Sequence, residues 1–367
     1  MKKTLLLVLA LMLTLTLMSG AFAEEKELRS FIYVLPRTVE ALEDSPFHVA
    51  EVMGFLAEEG LTMELIEAFG TTDMRMVATG QAQFCAPGPA LTLAGIAEGL
   101  GVKVVMAYDA INIWGLAVLT DSPVQSFEDM QNAQEKYGRK LTVALGDAAW
   151  EMLVTPTFIA GGVNVAEDLE FVVAGENRYV QVAEGKLDML FTWPGECWQL
   201  IGQNYDFKYI DGHDVLKTNS NSIITSQKLI DEDPEMVQGF VRALSKALHF
   251  IHYNPEAAAA IMADQFPNVD VTWKAANFIQ AGRLYQMFGA PGSEEEATAL
   301  NNIGFSWEDR WMLNVQAALD AGVIDKELTA DEIFTNQFVD NSWDRKPIEE
   351  LADSVDIETV KARYQAE

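Results

Sequence analysis

Cysteine is nearly absent: Cys85 and Cys197 are the two cysteines of the 367-residue sequence. Two thiols are too few for a disulfide framework, and no metal-binding spacing surrounds either of them. We therefore expect both thiols to stay free and to pack as small apolar side chains.

Positive charge is also scarce. The chain has 25 Lys and Arg against 55 Asp and Glu, a formal net charge of −30. This balance argues against a nucleic acid or an anionic membrane surface as partner. The acidic residues are spread along the chain, which is typical of a solvated acidic surface. Because 49% of the residues are hydrophobic, the chain has enough apolar material for about two folded domains.

Apolar runs of membrane-spanning length are missing. The longest run, at residues 5–18, is shorter than the roughly 20 residues that a spanning helix needs. It follows Lys2 and Lys3 and precedes Ala21-Phe22-Ala23, the small-x-small pattern that signal peptidase cuts. We predict a cleaved signal peptide over residues 1–23. Ala21 stands where a lipoprotein would carry cysteine, so we expect an unanchored protein in the periplasm.

Common catalytic motifs are absent as well. The sequence has no P-loop, no G-x-G-x-x-G, no G-x-S-x-G and no H-E-x-x-H. His249 and His252 share a helix face, but no cysteine lies near them and apolar residues separate them, so a metal site there is disfavoured. We expect a protein that is not an enzyme and that uses no cofactor and no metal.

What the chain does contain is a regular alternation of strand-like and helical segments. Such alternation predicts βαβ units on parallel sheets. The predicted strands are 31–35, 61–66, 82–86, 102–107, 141–144, 169–173, 187–192 and 222–225. The predicted helices are 46–60, 72–80, 89–99, 127–137, 148–161, 178–184, 234–253, 255–266 and 272–288, with further helices up to the C-terminus.

The alternation restarts after Pro123 and gives way to helices after the strand at 222–225, which indicates two lobes. We predict that the chain crosses between them near residues 121–124 and 214–220. Lobe 1 would comprise residues 24–122 and 219–290, and lobe 2 residues 123–218. Residues 291–367 would form a C-terminal helical segment that packs on lobe 1.

An ordered series of short motifs resembles one branch of the solute-binding proteins of ABC importers. The motifs include His48-Val49-Ala50-Glu51, Gly80-Gln81-Ala82-Gln83-Phe84, Gly161-Gly162-Val163 and Asn254-Pro255-Glu256-Ala257-Ala258. That branch handles nitrate, alkanesulfonates, taurine and thiamine-related pyrimidines. The resemblance implies an α/β, two-lobe periplasmic-binding-protein fold of type II with mostly parallel sheets, expected here to act as a monomer with an inner-membrane permease as partner.

Three departures from that branch concern the ligand more than the fold. Gln83 replaces a common aspartate, Gly146-Asp147-Ala148-Ala149-Trp150 replaces a serine-rich helix start, and Trp193-Pro194-Gly195-Glu196 replaces a Trp-Glu-Pro ending.

In open α/β sheets, ligands bind beyond the carboxyl ends of the strands. This rule, together with the resemblance for Phe47, selects the following candidate ligand-binding residues: Arg37, Phe47, Pro89, Tyr108, Asp109, Asn112, Trp114, Asp147, Ala148, Trp150, Trp193 and Glu196.

Three of these candidates are tryptophans, on which a planar or cationic ligand can stack. The alternative for each tryptophan, and for Phe47 and Tyr108, is ordinary packing in the core or between the lobes. Asp147 is either a helix cap or, with Asp109 and Glu196, a feature that favours ligands with donors or positive charge. Arg37 either grips a ligand acceptor or forms a surface ion pair.

We therefore predict a binding protein that closes its lobes around a small aromatic or nitrogenous heterocycle, such as a thiamine precursor. The first alternative is a binder of an organic sulfonate, taurine or a nitrate-like anion. The second is a secreted enzyme or a sensory receptor on the same scaffold.

Overall fold

The computed structural model describes residues 28–36, 42–68, 71–268 and 272–364. The predicted signal peptide and Arg37 lie outside the described residues. Elements are given below with the bounds that the structure assigns to them.

Two five-stranded sheets form the frame of the molecule. The first has the order β2-β1-β3-β10-β4 and the second the order β7-β6-β8-β5-β9. The strands of the first sheet are β1 (Arg29–Leu35), β2 (Leu61–Glu67), β3 (Phe84–Cys85), β4 (Val102–Ala107) and β10 (Ser222–Ser226). Those of the second are β5 (Gly115–Leu119), β6 (Leu141–Leu145), β7 (Leu169–Val173), β8 (Met189–Thr192) and β9 (Phe207–Ile210).

Both sheets are mostly parallel, as predicted, with one reversed strand each. In the first sheet β10 runs antiparallel to β3 and β4. In the second sheet β5 runs antiparallel to β8 and β9. Each reversed strand is the first strand after a crossing between the sheets, so the same topology occurs twice. We call the halves built on the first and second sheets lobe 1 and lobe 2.

The chain passes from the first sheet to the second between Ala107 and Gly115, and it returns between Ile210 and Ser222. The second passage contains the predicted crossing at 214–220. The first passage precedes the predicted crossing at 121–124, because β5 pairs with the second sheet. The exact lobe boundaries remain a prediction.

Helices cover the sheets and form most of the C-terminal third. Up to β9 they are Ser45–Val52, Phe55–Glu58, Thr72–Ala78, Pro89–Ala97, Phe127–Met130, Ala133–Tyr137, Trp150–Ala160, Val165–Asp168, Arg178–Ala183 and Pro194–Gly202. Beyond β10 they are Gln227–Glu232, Pro234–Tyr253, Pro255–Gln265, Trp273–Phe288, Glu294–Asn301, Glu308–Asp320, Ala330–Ile333, Lys346–Asp353 and Ile357–Tyr364. Short 3-10 turns occur at Leu42–Asp44, Gly175–Asn177 and Gly212–Asp214.

Two helices predicted as continuous are interrupted. Gly54, with φ of 78°, separates Ser45–Val52 from Phe55–Glu58. Asn132, with φ of 56°, separates Phe127–Met130 from Ala133–Tyr137. A left-handed residue cannot continue a right-handed helix, and glycine and asparagine adopt that conformation most easily.

The long helix Pro234–Tyr253 is the centre of the lobe 1 core. Phe240 packs against Phe31 and Phe84 at ring-centroid distances of 5.0 and 4.4 Å. Helices of the C-terminal segment extend this core: Lys346–Asp353 contacts Pro234–Tyr253, and Ile357–Tyr364 contacts Pro255–Gln265.

Both cysteines are free and buried, as predicted. Cys85 lies in β3 and Cys197 in the helix Pro194–Gly202, so they belong to different lobes. Among the described residues, no helix is long and apolar enough to cross a membrane.

Candidate functional site

Three tryptophans converge at the junction of the lobes, and we call them with Phe191 the indole cluster. The ring of Trp193 meets that of Trp114 at 6.4 Å and that of Trp150 at 5.8 Å between centroids, both edge to face. Phe191 packs against Trp114 at 5.6 Å and against Trp150 at 5.8 Å. The three rings therefore lie together, and their role in ligand binding stays a prediction.

The cluster arises where strands of the second sheet end or begin. Trp150 starts the helix that follows β6, Trp193 directly follows β8, and Trp114 directly precedes β5. Because β6 and β8 are parallel neighbours, their carboxyl ends lie at the same edge of the sheet. Trp150 and Trp193 are half-buried.

Glycines give the indoles their positions. A Cβ on Gly146 would come within 2.6 Å of the Trp150 ring, and a Cβ on Gly88 within 2.9 Å of the Trp114 ring. Contacts this short do not occur between real side chains, so any larger residue would displace the rings. Gly88 belongs to lobe 1, where it immediately precedes Pro89, and Trp114 lies beside it at the lobe junction.

Glu43 of lobe 1 touches the cluster directly. The indole Nε1 of Trp193 donates a hydrogen bond to Glu43 Oε2 at 2.6 Å. Glu43 is 8% exposed and lies in the 3-10 turn Leu42–Asp44. Glu43 was not among the predicted site residues, although its place between β1 and the next helix matches the rule that selected the other candidates.

Arg178 and Glu196 form the charged edge of the cluster. The Arg178 guanidinium lies 5.0 Å from the centre of the Trp150 ring and forms a close ion pair with Glu196. Thr192 donates a hydrogen bond to Glu196 at 2.7 Å. Burial raises the pKa of Glu196, with further increases from the nearby Glu43 and Glu176, and Arg178 and Thr192 oppose the shift. Arg178 was not among the predicted site residues.

Asp147 and Ala148 lie on the loop between β6 and Trp150. Asp147 Oδ1 accepts a hydrogen bond from the backbone N–H of Ala149 at 2.7 Å, a local turn like a helix cap. Ala148 is exposed, whereas Asp147 is half-buried. Pro89 is buried as the first residue of its helix.

Four other predicted residues lie in the interior. Phe47 is 1% exposed and stacks on Tyr108 at 5.4 Å within the lobe 1 core. Asp109 is fully buried and pairs with Arg283 at 2.9 Å, and that guanidinium also lies 4.2 Å from the centre of the Tyr108 ring. Asn112 is buried and donates a hydrogen bond to Thr157 at 3.2 Å. Their ligand contacts therefore remain predictions, and their present contacts are structural.

A small cavity lies behind the crossing segments, away from the indole cluster. Tyr108, Asn219, Trp307 and Arg310 are among its lining residues. Since its walls belong largely to the C-terminal segment and lobe 1, it is separate from the site between the lobes.

His249 and His252 each contact a different glutamate. His249 lies 3.2 Å from Glu349 and His252 lies 3.1 Å from Glu296, measured between the facing nitrogen and oxygen atoms. No group of His, Cys, Asp and Glu suited to a metal ion occurs in the described parts of the chain.

The two sheets, their two crossings and the aromatic cluster between the lobes define a protein of the periplasmic solute-binding class. Residues 43–258, more than half of the chain, match the family model described as NMT1/THI5 like. The protein belongs to this family, and the sequence resemblance is confirmed.

Two similar proteins differ in the function that their names describe. The chain is 25% identical over 306 residues to the riboflavin-binding protein RibY of Chloroflexus aurantiacus, covering 81% of this chain and 83% of RibY. It is 22% identical over 317 residues to the 4-amino-5-hydroxymethyl-2-methylpyrimidine phosphate synthase of Legionella pneumophila, covering 83% of this chain and 91% of the synthase. The relatives thus include both a binding protein and an enzyme.

A solved structure supports the fold. The alkanesulfonate-binding protein SsuA of Xanthomonas axonopodis pv. citri, bound to MOPS, aligns with a TM-score of 0.60 at 13% identity. The alignment covers 85% of this chain and 99% of SsuA. The two-lobe periplasmic-binding-protein fold is therefore confirmed.

Proposed function

We propose that this protein captures a small aromatic or nitrogenous heterocycle between its lobes, outside the cytoplasm, for an ABC importer. The observation that carries the proposal is the convergence of Trp114, Trp150 and Trp193 at the lobe junction. Aromatic side chains stack on planar rings and give both area and orientation. A heterocyclic ligand also agrees with the riboflavin-binding relative.

The charges around the cluster favour a ligand with donors or positive charge over an anion. Glu43, Asp147 and Glu196 place three carboxyl groups at or beside the rings, while Arg178 is already paired with Glu196. An alkanesulfonate would have to compete with Glu196 for that guanidinium. An enzyme on this scaffold is the alternative that the synthase relative suggests.

The first test removes the rings. Trp150→Ala or Trp193→Ala should weaken the binding of a heterocycle by about tenfold or more, since a lost ring contact costs about 0.5 to 1.5 kcal/mol beyond the buried area. Isothermal calorimetry with riboflavin, 4-amino-5-hydroxymethyl-2-methylpyrimidine and ethanesulfonate measures the change.

Trp343→Ala is the control, because that ring packs on His249 at 5.6 Å, where the C-terminal segment meets lobe 1. Unchanged affinity in both cluster variants would mean that the rings only pack the lobes together. Chromatography of the same mixtures after long incubation detects turnover, and a new product would favour the enzyme.

The second test is a substitution that should change the binding affinity in opposite directions for the two ligand classes. Asp147→Asn should weaken a heterocyclic or cationic ligand, because a charge-assisted hydrogen bond becomes a neutral one. The same change should tighten an alkanesulfonate by removing repulsion. The asparagine can still accept the hydrogen bond from Ala149, so the loop should keep its shape. Calorimetry on this variant therefore distinguishes the two classes.

A further inference from the structure

Two polar groups from lobe 1 meet at Gly195, next to the indole cluster. Glu43 Oε2 lies 2.6 Å, and Gln286 Nε2 lies 3.5 Å, from the position that a Cβ of residue 195 would occupy. One group accepts hydrogen bonds and the other donates them.

The orientation of the Gln286 amide is fixed by its neighbours. Its Oε1 accepts a hydrogen bond from Arg283 at 2.5 Å, and Arg283 in turn pairs with the buried Asp109. The Nε2 group must therefore point away from the guanidinium. Gln286 is 0% exposed, and its Nε2 has no hydrogen-bond partner among the described residues. An unsatisfied buried donor is costly and marks a position where an acceptor is expected.

Glu43 is held in place from the same helix, Trp273–Phe288. Gln280 donates to the backbone oxygen of Leu42 at 3.3 Å and accepts a hydrogen bond from Ser45 at 2.8 Å. The 3-10 turn that carries Glu43 is thus pinned on both sides. A carboxylate oxygen can accept more than one hydrogen bond, and Oε2 of Glu43 accepts one from the Trp193 indole.

From these contacts we propose that Glu43 and Gln286 determine ligand specificity. Both residues form hydrogen bonds with one edge of a planar heterocycle that stacks on Trp193. Glu43 accepts a hydrogen bond from an N–H group of the ligand, and Gln286 Nε2 donates to the adjacent acceptor. A ring with an amidine edge or a lactam edge presents this donor and acceptor side by side. The inference rests on the proposed function and narrows its ligand class.

Matched ligand pairs test the acceptor role of Glu43. One pair is 4-amino-2-methylpyrimidine and 2,4-dimethylpyrimidine, and the other is riboflavin and 3-methylriboflavin. In each pair the second compound keeps the acceptor and lacks the N–H donor. Wild-type protein should prefer the donor-bearing member by about tenfold or more, as expected for a hydrogen bond to a charged group. In the pyrimidine pair, where an amino group is replaced by a methyl group of similar size, Glu43→Gln should reduce that preference several-fold, because a neutral amide oxygen replaces a charged acceptor.

Gln286→Met is an independent test, since methionine has a similar volume and no hydrogen-bond donor. It should weaken the binding of both members of a pair to the same degree, because both carry the acceptor. Glu51→Gln is the matched control: this acid lies on the helix Ser45–Val52 of lobe 1 and bonds Thr62 on the surface. It removes the same charge and should leave the preference unchanged. Gly195 is not substituted, because it also contacts Gly282.

The outcomes separate this inference from the function on which it rests. If the heterocycles bind and Trp193→Ala weakens their binding, but Glu43→Gln leaves the preference within the pyrimidine pair undiminished, the specificity proposal is wrong and the proposed function stands. If neither pair binds, both fail, and binding of ethanesulfonate would identify the anion alternative. Thermal unfolding confirms that each variant is folded. If Glu43→Gln does not fold, the binding affinities of Gln286→Met decide between the outcomes.

Discussion

Asp73 is a buried carboxyl group outside the indole cluster. It is 2% exposed in the helix Thr72–Ala78, and its Oδ1 accepts a hydrogen bond from the backbone N–H of Met74 at 2.7 Å. Burial raises its pKa from 3.8 to about 6, and the Met74 hydrogen bond opposes this only in part. The folded state therefore holds this proton more tightly than the unfolded state does.

The sign of the resulting pH dependence follows from linkage. Asp73 favours the folded state below about pH 4, and this contribution is lost as the pH rises through about 6. Asp73→Asn should therefore stabilise the protein at pH 7.5, by about 3 kcal/mol at most, and the gain should shrink at pH 4.5. Urea unfolding at the two pH values measures both differences.

Asp129→Asn is the control, and its effect on the free energy of unfolding at pH 7.5 should have the opposite sign. The backbone N–H of Gln125 and the Ser126 hydroxyl bond the Asp129 carboxylate and lower its pKa. Its ionised form is therefore stabilising, and the substitution should cost nearly the same stability at pH 7.5 and at pH 4.5, because both values lie above the ordinary carboxyl pKa of 3.8. Equal pH dependence in the two variants would contradict the assignment of Asp73.

At this same scale, the sequence predicted that Trp150 and Trp193 lie near each other, because each follows a parallel strand and parallel strands end at one edge of the sheet. It did not predict that Glu43 and Arg178 contact these rings or that Gln286 lies beside Gly195. The hydrogen bond between Glu43 and Trp193 joins residues 150 positions apart, and no local periodicity records such a contact.

Among the elements, one helix pair joins the lobes more closely than any sequence pattern indicated. The helix Pro194–Gly202 of lobe 2 packs on Trp273–Phe288, which also holds the Glu43 turn of lobe 1. A Cβ on Gly282 would lie 2.7 Å from the backbone oxygen of Pro194 and 2.8 Å from the Cα of Gly195. Backbone atoms cannot move aside as a flexible side chain can, so the close approach requires glycine.

Gly282→Ala should therefore separate the two helices. Overpacking of this kind costs about 1 to 3 kcal/mol, which outweighs the gain of up to about 1 kcal/mol in helix propensity. Ala281→Ser, at the exposed neighbouring position, should change stability by less than about 0.5 kcal/mol. Chemical unfolding of both variants gives the comparison. A Gly282→Ala variant as stable as the wild type would show that the helices can move apart freely.

Most long elements were predicted, and the missed ones are short or depend on distant partners. Residues 102–107, 169–173 and 234–253 were predicted with the bounds that the structure assigns. The strand β9 has four residues and lies at the sheet edge, where periodicity is weak. The strand β5 is apolar throughout, but its place in the second sheet depends on pairing with β8 and β9. The helix Pro194–Gly202 was not among the predicted helices, and it begins with Pro194 and Gly195, which are weak helix formers within a helix.

On the scale of the whole molecule, the C-terminal segment connects the lobes and does not only cover lobe 1. The helix Glu308–Asp320 contacts Pro89–Ala97 of lobe 1 and Trp150–Ala160 of lobe 2. Arg310 donates to the backbone oxygen of Ala110, in the first crossing, at 2.5 Å. Asn314 donates to the backbone oxygen of Asn219, in the second crossing, at 3.2 Å. Any hinge motion at the crossings must therefore carry this helix along or break these contacts.

Asn314→Ala should accordingly destabilise the molecule as a whole. Asn314 is 5% exposed and bonds both the backbone and the side-chain oxygen of Asn219, so its loss leaves buried acceptors unsatisfied. We expect a cost of about 1 to 3 kcal/mol in urea unfolding followed by tryptophan fluorescence. Gln316→Ala, on the exposed face of the same helix, removes a hydrogen bond to Asp320 and should cost less than about 0.5 kcal/mol. If the two variants unfold at the same urea concentration, the hydrogen bonds of Asn314 do not stabilise the second crossing. Hinge closure would then not depend on these contacts with the C-terminal segment.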